Sequence, residues 1–85
     1  HMPKPDPVTG ERNLIRHKLV KLRQKHNWSQ RILSYKAQLV GCDMDKNAIT
    51  RIETNRRYVT DIELIAFAEV FNVPIEYFLE DEEEE

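Results

Sequence analysis

Ser29-Gln30-Arg31-Ile32-Leu33-Ser34, followed after a short loop by Asp45-Lys46-Asn47-Ala48-Ile49-Thr50-Arg51-Ile52-Glu53, is the stretch that decides the fold. Ser29 suits a helix start, because its hydroxyl accepts from backbone N–H groups that a first turn leaves free. In the second segment Ile49 and Ile52 share one helical face, while Lys46, Asn47, Thr50 and Arg51 point elsewhere. A short helix with one apolar stripe and an outer face of long donors matches what a DNA major groove accepts.

Charge around this stretch is lopsided. Arg12 to Arg57 carries twelve Lys and Arg against three acids, Asp43, Asp45 and Glu53. Tyr58 to Glu85 carries ten acids and no Lys or Arg. The formal net charge of −2 therefore conceals a basic two-thirds and an acidic last third.

Working outward, Pro3, Pro5, Pro7 and Gly10 deny a helix to residues 1–10, which read as an extended N-terminal arm. His1-Met2 reads as the remnant of a cleaved expression tag. A first helix is expected from Glu11 to Lys25, with Ile15, Leu19 and Leu22 inward and Arg12, Arg16, Lys18, Lys21, Arg23 and Lys25 on a solvated basic face. The second begins after Ser29, with Trp28 and Leu33 as a hydrophobic staple. Ile32, Leu33, Ala37 and Leu39 or Val40 are expected inward, and Gly41 ends it. The third follows an Asp45 cap and runs to about Thr54. Thr60-Asp61-Ile62-Glu63 is a capping box that opens a fourth helix. That helix is apolar at nearly every position but Glu63 and Glu69 and is expected to be buried over much of its surface, with Asn72 closing it. A short fifth helix after Pro74 carries Ile75, Phe78 and Leu79, and residues 80–85 form a solvated acidic tail expected to be disordered. The class is all-α: five helices in one domain over residues 11–79, with no strand-like alternation.

In this order the residues resemble the lambda-repressor-like helix-turn-helix family, also called the Xre/Cro type. The motif is Ser29-Gln30-x-x-Leu33, a turn, Ile49-x-x-Ile52-Glu53, a polar loop, a capped apolar helix and Val73-Pro74-Ile75. The likeness covers residues 12–79. It implies a compact five-helix fold in which the second helix crosses the DNA backbone and the third lies in the major groove. Here the interval from Gln30 to Lys46 is longer than usual in the family, so the second helix and turn are expected to be extended. Ser34 stands where Ala is common and Asn55 where Gly is common.

The resemblance assigns base-edge contacts to Lys46, Asn47, Thr50 and Arg51, counted back from Glu53. The chemistry agrees, since Arg and Lys donate to guanine, Asn pairs with adenine, and Thr offers a methyl to thymine. Gln30 at a helix start, with Arg56 and Arg57 beyond the third helix, are the expected phosphate contacts. The likeness also pairs Arg23 with Glu53 as a structural ion pair between the first and third helices.

These features imply a sequence-specific, DNA-binding transcriptional regulator, expected to be a repressor bound to double-stranded DNA. A homodimer is expected through the fifth helix, where Ile75, Tyr77, Phe78 and Leu79 exceed what one small core needs. The alternative is a protein-interaction module, such as an antitoxin-like or regulator-modulating partner that uses the acidic third. No nucleophile–base set, metal-ligand set or phosphate-cradling Gly loop can be assembled, so neither enzyme activity, a small-molecule substrate nor a cofactor is expected. Cys42, His17 and His26 lack ligand spacing. A single Cys excludes an internal disulfide and points to a reducing, cytoplasmic setting. No apolar run approaches the roughly 20 residues that span a bilayer.

Overall fold

The computed structural model describes residues 3–80. His1-Met2 and the acidic run 81–85 lie outside the described residues. Five α-helices follow one another, α1 (Arg16–Lys25), α2 (Gln30–Leu39), α3 (Lys46–Glu53), α4 (Asp61–Phe71) and α5 (Ile75–Leu79), with no strand among the described residues. α3 packs against α1 and α2, and α4 packs against α2 and α5. Each helix sends at least one fully buried apolar side chain to a shared core: Leu19, Leu33, Ile49, Ile52, Phe67 and Phe78. Burying a side chain of that size contributes about 1.5–3 kcal/mol each.

Local chemistry explains where these helices begin. Ser29 Oγ accepts from Ile32 N at 3.1 Å, and Asp45 Oδ1 accepts from Ala48 N at 2.8 Å. At α4 the box is complete: Thr60 Oγ1 accepts from Glu63 N, and Glu63 Oε1 accepts from Thr60 N at 3.0 Å. The breaks after α2, α3 and α4 fall at Gly41 (φ 86°), Asn55 (φ 62°) and Asn72 (φ 55°). Left-handed backbone is open to Gly, and Asn tolerates it better than most residues with a Cβ.

α1 begins five residues later than its periodicity suggests, at Arg16 rather than Glu11. Asn13 is the cause. Its side chain is buried, with Nδ2 donating to Ile52 O at 3.1 Å and Arg57 O at 3.0 Å, while Oδ1 accepts from Ile15 N. That geometry ties the chain ahead of α1 to the end of α3. The arm is also not simply extended. Asp6 closes a turn, Oδ1 accepting from Val8 N and Thr9 N and its carbonyl accepting from Gly10 N.

Three further expectations change. Lys18 is buried, not on a solvated face, and its Nζ donates to the carbonyls of Tyr77 and Glu80 at the end of α5, both at 2.6 Å. Ile32 and Leu39 face solvent, because α2 meets the core only along Leu33, Ser34 and Ala37. α4 leaves Ile62 and Ile65 exposed and buries Ala66, Phe67, Ala68 and Phe71. Trp28 stacks on Phe71 at 5.3 Å and on His26 at 4.6 Å, with Lys36 Nζ 5.0 Å from its ring. The connection between α2 and α3 is no tight turn: Met44 within it is 2% exposed and anchors it in the core.

Candidate nucleic-acid interface

α3 divides sharply into two faces. Ala48, Ile49 and Ile52 are buried, while Lys46, Asn47 and Arg51 are exposed. The division follows from helical periodicity, because the buried set recurs at spacings of three and four. Asp45 fixes the first turn by capping it, so the exposed side chains stand on a short, rigid element.

Behind that face lies a polar network linking three helices. Arg23 on α1 meets Glu53 on α3 in a bidentate pair, Nε to Oε2 at 2.7 Å and Nη2 to Oε1 at 3.0 Å. The Glu53 side chain is 5% exposed. Arg23 Nη1 also donates to Trp28 O at 2.9 Å, which fixes the approach to α2. Gln30, first residue of α2, donates from Nε2 to Glu53 Oε1 at 2.8 Å. Its Oε1 accepts from Thr50 Oγ1 at 2.7 Å. No buried side-chain nitrogen or oxygen among the described residues is left without a partner. A buried pair contributes only when its remaining hydrogen-bonding capacity is filled, and this network fills it.

The phosphate candidates divide. Arg56 is exposed, and its Nε donates to Thr54 Oγ1 at 3.1 Å, which leaves the rest of the guanidinium free to meet an anion. Arg57 is instead engaged with Glu63, Nη1 to Oε1 at 2.8 Å and Nη2 to Oε2 at 2.9 Å. Burial alone would raise the Glu63 carboxyl. Hydrogen bonds from Arg57 and the Thr60 backbone, with the Arg57 charge, hold it below the ordinary glutamate value of 4.5. Arg31 is exposed in the first turn of α2, beside the half-buried Gln30. Helix N-termini favour anions, so Gln30 and Arg31 stand where a phosphate would be drawn.

Asn55 forms a clamp on residues 10–12 that residue types alone do not reveal. Asn55 Oδ1 accepts from Arg12 N at 2.7 Å, and its Nδ2 donates to Gly10 O at 3.1 Å. Its left-handed backbone was legible as a helix end, but nothing local pointed to a partner more than forty residues earlier. Cys42 is half-buried, and burial, with the nearby Glu63 charge, pushes its thiol up, away from the reactive thiolate.

The fifth helix is not a free apolar face. Phe78 is 1% exposed, and Ile75 and Tyr77 pack against the core, leaving Leu79 open. Leu79, Leu14, Val59 and Leu64 help line a groove of about 360 Å³ between the start of α1 and the start of α4. No helix among the described residues is long and apolar enough to cross a membrane.

A family model described as helix-turn-helix matches residues 19–78. No curated protein and no solved structure matches the chain.

Proposed function

The chain belongs to the lambda-repressor (Xre-type) helix-turn-helix family of DNA-binding regulators, and from that premise we propose that it is a cytoplasmic, sequence-specific repressor that lays α3 in the major groove. The observation that carries this is the two-faced α3: three buried apolar residues inward, and Lys46, Asn47 and Arg51 outward. Arg51 and Lys46 supply donors for guanine O6 and N7, and Asn47 supplies the paired donor and acceptor that suit adenine. Gln30 and Arg56 take phosphate oxygens and set the register. Arg57 is the weaker contributor, because Glu63 already matches its charge. The working unit is residues 11–79, with the preceding arm held against the end of α3 by Asn55.

The repressor pairs two copies on DNA, since one such domain reads only a few base pairs. The apolar residues Leu14, Leu79, Ile62 and Ile65 support a contact on the α4 side rather than one centred on Phe78.

Selection of bound duplexes from a random pool tests the reading. A defined motif is expected, with two half-sites about one helical turn apart. Arg51→Ala is expected to relax one position, at about 1–3 kcal/mol of discrimination. Enrichment independent of sequence would remove the repressor, and a single half-site bound by a monomer would remove the pairing.

A further inference from the structure

We infer that the Thr50 hydroxyl positions the phosphate-binding amide of Gln30 and does not itself read a base; this rests on the DNA-binding reading above. The direction of each hydrogen bond is fixed by chemistry. Arg23 has donors only, so both Glu53 oxygens accept from it. Gln30 must then turn its NH2 toward Glu53 and its carbonyl oxygen toward Thr50. Thr50 has one hydroxyl hydrogen, and both neighbouring acceptors belong to the protein: Gln30 Oε1 at 2.7 Å and Lys46 O at 3.1 Å. No hydrogen remains for a guanine O6 or N7, and Thr50→Val keeps the methyl, so loss of the hydroxyl can be read apart from any contact with a thymine methyl. Thr50 is also half-buried, where Lys46, Asn47 and Arg51 are exposed.

Gln30, by contrast, is gripped at both ends of its amide. Glu53 takes one of its two N–H hydrogens, and Thr50 holds the oxygen. The remaining N–H is held in a fixed direction at the first turn of α2, where an anion is favoured. Loss of the Thr50 hydroxyl frees the amide to rotate, so its cost falls on a backbone contact that every duplex shares.

Three variants of the full chain test this: Thr50→Val, Thr50→Ser and Gln30→Ala, each assayed on the selected duplex and on a scrambled one across a salt series. Thr50→Val keeps the side-chain shape and is expected to weaken both duplexes equally, by about 3- to 10-fold. The log–log salt dependence is expected to become shallower by up to about 0.9, one phosphate contact. Thr50→Ser keeps the hydroxyl and is expected to restore both affinity and slope. Gln30→Ala is expected to match Thr50→Val, and the double variant to lose little more. A Thr50→Val protein whose selected motif changes at one base, with the slope unchanged, would make Thr50 a base reader and overturn the inference. Equal binding by the Val, Ser and parent proteins would overturn it too, with the DNA-binding reading intact. A parent protein that shows no salt-dependent duplex binding would sink both.

Discussion

The two ends of this domain are held together by different physics. Around α3, polar groups fix the geometry: the Arg23–Glu53–Gln30–Thr50 network, the Asn13 side chain on the carbonyls of Ile52 and Arg57, and the Asp45 cap. Around α4 and α5, aromatic burial dominates, with Phe67, Phe71 and Phe78 each at 6% exposure or less. Apolar packing is non-directional and tolerates small shifts, whereas hydrogen bonds with fixed donors specify orientation. The lesson is a division of labour: stability is concentrated where bulk matters, and orientation where the working face stands.

That contrast can be broken most forcefully at Phe78. Phe78→Ala is expected to cost about 4 kcal/mol in urea denaturation. The fraction still folded should bind DNA with parent affinity, and a loss of affinity in that fraction would mean that the two ends are not separable. Glu53→Ala comes next, at about 3 kcal/mol, because it strands a mostly buried Arg23 and releases Gln30. Here both stability and binding should fall. An unchanged melting midpoint would show that the polar network is decoration.

Lys18→Met sharpens the contrast, since Lys18 is the one buried cation of the aromatic end among the described residues. Keeping the stem while removing the ammonium leaves the carbonyls of Tyr77 and Glu80 without their donor, at about 1–2 kcal/mol. The loss is expected to appear in denaturation and not in DNA affinity. The smallest effect is expected from acid. Glu63 titrates below its ordinary value in the folded state, so its contribution is complete above pH 4.5 and is lost as pH falls below that. Arg57→Met is expected to be less stable than the parent at neutral pH, and the gap between their urea midpoints should close on acidification. A gap that is constant with pH would mean the Arg57–Glu63 pair holds α4 by packing alone.

Much of this was legible in the sequence where the physics is local. The caps at Ser29, Asp45 and Thr60 act across three residues, so the residue types alone reveal them. The buried stripe of α3 follows from spacing. Legibility ends where a partner lies far along the chain. Glu11 to Leu14 suit a helix well enough, but the amide of Asn13 finds carbonyls 39 and 44 residues away, and the helix gives way to that contact. Lys18 looks like any surface lysine until α5 is placed beneath it. Ile32 and Ile65 carry the spacing of core residues, yet no neighbouring helix covers them. At Thr50 the family resemblance suggested a base contact, and only the placement of Gln30 showed where the hydroxyl points.

The Asn55 clamp has a practical consequence. Because Gly10 and Arg12 are stitched to the residue just past α3, residues 10–12 lie beside the end of the helix offered to the duplex. A bulky label, fluorophore or partner domain fused close ahead of Gly10 therefore stands near the working helix, and a longer spacer there relieves the crowding.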